Sequence, residues 1–248
     1  MSKGELPFDV IRAFIEQLTA VEDTAGLHNL MEGMTNALGY RHFALIHHDD
    51  LRKPVPGLIN LHSYPNVWAD YFIERCLYVS DPVVHACLRT NHAFSWAELA
   101  AFIRLDARHR AILEGAAREG LREGVTMPWS RPGMRCGSCS FGTARRGSTP
   151  IKCPIAIQLI GSFAFSAAAR ITGADAIQVG AKRRLQPRQR ECVILASHGK
   201  TNWEIAQILG IAVRTVRQHI DNAKQAYNVV TRTQLVAAAV LDNEIHLT

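Results

Sequence analysis

The sequence predicts an α+β protein: an N-terminal α-β-α sandwich built on an antiparallel sheet, followed by an all-α tail. Three observations lead there. In the front part, stretches with helical spacing of apolar residues alternate with short β-rich segments, the pattern of layered α+β architecture. Behind about residue 185, every periodic segment is helical. Between the two, "TGADAIQVGAKRRLQP" (172–187) interrupts the pattern with two glycines, a basic triplet and a proline, so it reads as a linker. The expected division is 1–172, a linker over 173–184, and 185–248.

Taken in order, the helical spacing predicts helices over about 8–20, 24–38, 67–77, 105–121 and 151–171. Strands are expected in "HFALIHHD" (42–49), "GLINLHSY" (57–64), "GVTMPWSR" (124–131) and "MRCGSCSFGTA" (134–144), the last two joined by the turn "RPG". In the tail, "TNWE" (201–204) offers a capping box: the Thr201 hydroxyl accepts from the backbone at Glu204, whose carboxylate reaches back. Gly210 closes that helix. "AVRTVRQHIDNAKQAY" (212–227) forms the next, with Val213, Val216 and Ile220 on its buried stripe and Arg214, Thr215, Arg217 and Gln218 outside. Two helices joined by a short Gly-containing turn, the second exposing basic and amide side chains near its start, describe a helix-turn-helix. Arg and Gln suit base recognition, since Arg pairs in a fork with guanine and Gln with adenine.

Charge divides the chain in the same place. Residues 180–248 carry ten Lys and Arg against five Asp and Glu, whereas the other 179 residues carry 18 and 17. A basic tail on a neutral front points to a polyanionic partner for the tail alone. With 48% apolar and 20% charged residues the chain can bury a core. The uncharged run between Lys152 and Arg170 contains Pro154, Gln158, Gly161, Ser162 and Ser166, which fits a buried helix better than a bilayer span. The opening "MSKGELPFDV" lacks the apolar core of a signal peptide, so a cytoplasmic protein without a membrane partner is expected. The six cysteines, spread over this length, are expected as thiols.

"GKTNWEIAQILGIAVRTVRQHI" (199–220), continued by "TRTQLVAAAVLDNEI", resembles the DNA-binding domain of LuxR-type transcriptional regulators. Two positions depart from that pattern: Gln189 stands where Glu is usual, and Ala212 replaces a capping Ser, which costs roughly 1 kcal/mol. The front half carries a second resemblance. "YPxxW" from Tyr64 to Trp68, then Asp81-Pro82 thirteen residues after the Trp, Trp96 in "FSW", Gly124 and Ser140 look like the spacing of autoinducer-binding domains that hold N-acyl-homoserine lactones. Phe72 replaces a tyrosine of that pattern. The resemblance implies a ligand-responsive transcriptional regulator that binds, as a homodimer, an inverted-repeat operator in double-stranded DNA. It also implies no enzymatic activity and no cofactor beyond the signal ligand.

A lactone of this kind has one amide N–H and two carbonyls, so a closed pocket needs one acceptor and at least two donors. Unpaired buried groups would cost about 1–3 kcal/mol each. By resemblance, Asp81 accepts from the amide N–H, Trp68 donates to the lactone carbonyl, and Tyr64 with Ser140 donates to the amide carbonyl. Trp96 and Phe72 are then walls. Further wall positions are expected from the sheet at Ala44, Ile46, Met127 and Ser138, with Trp129 a neighbour that could narrow the space. On the tail, Arg214, Thr215, Arg217 and Gln218 are expected at bases or phosphates, and Lys200, Thr201 and Lys224 at the DNA backbone.

Other chemistries find little support. "CGSC" (136–139) has the spacing of half a zinc site without a second pair, and "HH" at 47 and 48 reads as surface or packing. No phosphate loop, nucleophile elbow or H-E-x-x-H motif occurs. Two alternatives stay open at this level. One is a regulator of the same architecture answering another small molecule or none. The other is a phosphorylation-controlled response regulator, for which "HHDD" (47–50) gives a faint echo of an acidic strand end.

Overall fold

The computed structural model describes residues 7–53, 55–130, 135–144, 153–174, 185–242 and 244–245. They form two compact units, one ending at residue 174 and one starting at 185. Most of the expected linker, 175–184, and the expected turn at 131–133 lie outside the described residues.

The first unit opens with α1 (Phe8–Ala20) and α2 (Thr24–Ala37), then β1 (His42–His47), β2 (Asn60–His62) and α3 (Asn66–Glu74). A 3₁₀ turn at Leu77–Ser80 leads into α4 (Pro82–Cys87). There follow β3 (Phe94–Ser95), a second 3₁₀ turn at Trp96–Glu98, α5 (Leu99–Phe102) and α6 (Ala107–Arg118). β4 (Glu123–Trp129), β5 (Gly137–Thr143) and α7 (Pro154–Ile171) complete it. The five strands run in the order β2-β1-β5-β4-β3, every neighbour antiparallel. This is the expected sheet, and it excludes the parallel βα array that a response regulator requires.

Alternation along the strands sorts side chains to the two faces. Phe43 meets His28 of α2 at 5.1 Å, while His47 and Trp129 pack on Phe165 of α7 at 5.3 and 4.4 Å. Gly161 lets α7 ride close to the sheet, because a Cβ there would lie 2.7 Å from Met127 Cε and 3.1 Å from Cys139 Cβ. α7 is long and apolar enough to cross a membrane, yet half of it is buried within this unit, with Ile157, Ile160, Ala164 and Phe165 fully enclosed. It is a core helix.

The opposite face carries Ala44, Ile46, Ser138, Ser140 and Thr126, in a register that sets His62, Ala44, Ser140, Thr126 and Phe94 side by side across all five strands. α3, α4 and α6 cover it. Here the sequence reading needs correction. The helix expected over 67–77 ends at Glu74, because Cys76 turns left-handed (φ 52°). The helix expected from 105 begins after Asp106, whose carboxylate accepts from the His109 N–H. β3, α4 and α5 were not expected, since two to six residues are too short to show a period.

The second unit contains α8 (Pro187–Ser197), α9 (Asn202–Leu209), α10 (Val213–Tyr227) and α11 (Arg232–Leu241). Cys192, Val193, Ile205, Val216, Ala223, Tyr227 and Leu235 form its core. Thr201 and Glu204 make the expected reciprocal cap, and Gly210 ends α9 at φ 64°. Gln189 supplies a cap of its own, accepting from the Gln186 N–H at 3.0 Å. Ala212 caps α10 without a side-chain bond. Val216 and Ile220 are buried as expected, but Val213, in the first turn of α10, is 38% exposed.

Candidate ligand cavity and helix-turn-helix surface

A cavity of about 90 Å³ lies between the sheet and the covering helices of the first unit. Tyr64, Trp68, Phe72, Asp81, Trp96 and Ser140 all line it. Asp81 is placed by local chemistry: as the N-cap of α4 it accepts from the Val83 N–H at 2.9 Å, and Pro82 fixes the first helical position. Asp81 is half-buried and lines the cavity. Burial pushes its pKa up to about 6, against the pull of the Val83 N–H and of His85. Among the described residues the Val83 N–H is the one donor hydrogen-bonded to this carboxylate.

Trp68 stands on Gly115, where a Cβ would come within 2.9 Å of its ring, and lies 5.9 Å from Phe72. Its indole N–H forms no hydrogen bond among the described residues. Trp96 lies across Gly124, where a Cβ would meet the indole at 2.6 Å, and donates its N–H to Thr126 Oγ1 at 2.9 Å. Thr126 Oγ1 and Ser140 Oγ are 2.9 Å apart, and Tyr64 lines the cavity beside Ser140. Burial, followed by the nearby Asp81 charge, raises the Tyr64 pKa, so its hydroxyl keeps its proton.

Counting protons fixes the direction of this chain. Trp96 can only donate. Thr126, fully buried, then passes its own proton to Ser140. Two internal bonds join Trp96, Thr126 and Ser140, so at least one hydroxyl proton, from Ser140 or Tyr64, is left at the cavity end. The wall therefore offers an acceptor at Asp81 and donors at Trp68 and at the Tyr64–Ser140 pair.

Ala44, Ile46 and Ser138 line the cavity, but Met127 and Trp129 do not. Odd-numbered positions of β4 face α7, so Met127 packs on Gly161 and Trp129 stacks on Phe165. The sequence reading missed Thr126 and His48. His48 shares the face of Ala44 and Ile46, lines the cavity, and places Nε2 2.9 Å from Ser138 Oγ. Strict alternation along 42–48 would have found it. Its neighbour His47 packs on the α7 side and accepts from the Ile59 N–H at 3.0 Å. No cluster of three metal-ligating side chains occurs among the described residues. Asp49 pairs with Arg135 and Asp50 with Arg52, each at 2.8 Å.

On the second unit, Arg214, Arg217 and Gln218 are exposed on α10, Thr215 is half-buried, and Lys200 and Thr201 are exposed before α9. The Thr201 hydroxyl is engaged with Glu204. Lys224 is paired with Asp221 at 2.7 Å, one turn back on the same helix. Arg232 bonds Asn202 Oδ1 at 3.0 Å and the Lys200 carbonyl, which tethers α11 to the start of α9.

A cavity with polar groups on an apolar wall beneath an antiparallel sheet, followed by a helix-turn-helix unit, defines a one-chain transcription regulator that binds a small molecule. Residues 23–198 match the family described as autoinducer binding domain, and residues 183–239 match bacterial regulatory proteins of the luxR family. The chain belongs to the LuxR family of autoinducer-binding transcription regulators. It is 30% identical over 244 residues to the transcriptional activator protein AhyR of Aeromonas hydrophila, covering 94% of this chain and 90% of that one. It is 26% identical over 235 residues to the regulatory protein SdiA of Escherichia coli, covering 92% and 93%. The fold is that of SdiA crystals, including SdiA in complex with octanoyl-rac-glycerol, at a TM-score of 0.66, 22% identity and full coverage of both chains.

Proposed function

We propose that the cavity binds an N-acyl-homoserine lactone and that the loaded protein, as a homodimer, binds an inverted-repeat operator. One observation carries the first part: the half-buried Asp81 carboxylate, its pKa raised to about 6, lines the same cavity as Trp68, Tyr64 and Ser140. That set matches the amide N–H and the two carbonyls of the ligand. Asp81 accepts from the amide, Trp68 donates to the lactone carbonyl, and the spare hydroxyl proton goes to the amide carbonyl. Trp96 and Phe72 close the walls. Binding adds stability to the native state alone, by RT ln(1 + [L]/Kd).

The second part is supported by the exposed Arg214, Arg217 and Gln218 on α10 and by the excess of basic residues behind residue 180. A symmetric dimer presents two such helices to major-groove half-sites about one helical turn apart. The paired Lys224 contributes less than the exposed Arg side chains.

Titration of the full chain with hexanoyl- and octanoyl-homoserine lactone, followed by tryptophan fluorescence, tests the ligand. Octanoylglycerol serves as the comparator, since it keeps an acyl chain but has no amide. Saturable quenching by lactones that is lost in Asp81→Asn is expected. Equal response to octanoylglycerol, or no response at all, would move the protein to a different signal.

A further inference from the structure

We infer that the cavity selects a short acyl chain carrying a hydroxyl group at its far end, recognised by Ser138 with His48. The inference rests on the lactone reading above and names the tail that reading leaves open. Ser138 and Ser140 stand on one face of β5, two residues apart, and both line the cavity. Their spacing along the strand is about 7 Å. A chain whose amide carbonyl meets Ser140 passes over Ala44 and Ile46 and reaches Ser138 after about five or six bonds.

The wall there is not built for a plain alkyl tail. His48 Nε2 lies 2.9 Å from Ser138 Oγ, and its Nδ1 is buried with no partner among the described residues. Asn60 and His62 flank the same stretch from β2, and His62 Nδ1 is also buried without a partner. An alkyl chain laid across these groups would leave them unpaired, which is the costly outcome for buried polar atoms.

Hydrogen bookkeeping at Ser138 selects a hydroxyl over a carbonyl. Leaving a bare acceptor on His48 is cheaper than burying an unpaired N–H, so Nε2 carries the proton and donates to Ser138 Oγ. Ser138 Oγ then keeps its own proton and one lone pair for the cavity. A guest hydroxyl engages both, and a carbonyl engages only the proton.

The test compares three ligands of equal chain length by calorimetry on the full chain: hexanoyl-, 3-hydroxyhexanoyl- and 6-hydroxyhexanoyl-homoserine lactone. The 6-hydroxy compound should bind about tenfold tighter than the hexanoyl one, and the ratio should collapse toward one in Ser138→Ala. His48→Leu provides the same reading should Ser138→Ala fail to fold. A wild-type preference for the plain chain or for the 3-hydroxy compound overturns the inference while leaving the lactone reading intact, as does a ratio that survives both substitutions. Absence of binding by all three removes the lactone reading and this inference together.

Discussion

The Trp96 indole N–H donates to the Thr126 hydroxyl at 2.9 Å, and through that hydroxyl an aromatic wall is tied to the polar end of the cavity. Trp96 cannot serve the ligand as a donor, because its only proton is committed. It sets the direction of the chain that ends in the free hydroxyl proton of Tyr64 or Ser140.

Thr126→Val keeps the shape and removes the relay. The part-buried indole N–H then lacks its acceptor, at a cost of about 1–3 kcal/mol. Melting of the full chain should fall by about 4–8 °C if the cost is near 2 kcal/mol, and lactone affinity by about tenfold. Unchanged melting and affinity would show that water replaces the threonine hydroxyl without loss.

Gly124 matters for space. A methyl group there would sit 2.6 Å from the Trp96 ring and 2.7 Å from the Phe141 carbonyl oxygen, and the oxygen belongs to the backbone of the central strand. Gly124→Ala should therefore cost about 1–3 kcal/mol by overpacking, with a shifted Trp96 environment in near-ultraviolet circular dichroism. Denaturant titration with unchanged midpoint would contradict the close approach.

Much of this was legible in the sequence, and the reasons differ by residue. Asp81 before Pro82 carries its own cap, so a local pattern fixes where the carboxylate goes. Thr201, Glu204 and Gly210 mark α9 in the same way. Met127 was misplaced, and Trp129 left open, because nearly all of β4 is buried on both faces, so hydrophobicity does not reveal which residues face which layer. His48 was missed because a histidine in an apolar strand looks like packing until the register with Ser138 is known. Short elements such as β3 owe their existence to the neighbouring strand rather than to any period of their own.

Asp81 makes ligand binding depend on pH. Its folded pKa, about 6, lies above the ordinary 3.8, so the empty protein holds a proton that the unfolded chain has released between those values. Stability from this group is therefore lost as pH rises through that window, on the order of 3 kcal/mol by neutral pH. A lactone amide donating to the carboxylate favours the ionised form. Affinity should rise with pH up to about 6 and level off above it, with roughly tenfold weaker binding at pH 5. His47 and His48, both lowered to about 4 mainly by burial, act on stability in the opposite sense, which is lost as pH falls from 6.5 toward 4. Calorimetry of binding, rather than melting, isolates Asp81, and Asp81→Asn should flatten the profile.

Ala212 leaves α10 without a side-chain cap. Its backbone is already extended (φ −69°, ψ 145°), the conformation a capping serine adopts. Ala212→Ser should stabilise the second unit by about 1 kcal/mol, read as a higher denaturation midpoint. A destabilised variant would mean that the hydroxyl finds no N–H at the start of α10.

Arg217 and Lys200 separate base reading from backbone attachment. Arg217 is exposed on α10, one residue past the buried Val216 and one turn in from the helix start, where a helix lying in the major groove meets base edges. Lys200 precedes α9 and its carbonyl is held by Arg232, which places it at the edge of the unit. Arg217→Ala should weaken binding to the cognate inverted repeat by about 1–3 kcal/mol and barely change binding to random DNA. Lys200→Ala should weaken both alike and reduce the slope of log affinity against log salt by about one. Gel-shift titrations of both variants at several salt concentrations read these quantities directly. Equal losses on both DNAs for Arg217→Ala would make it a phosphate contact and shift the reading of bases to Arg214 and Gln218.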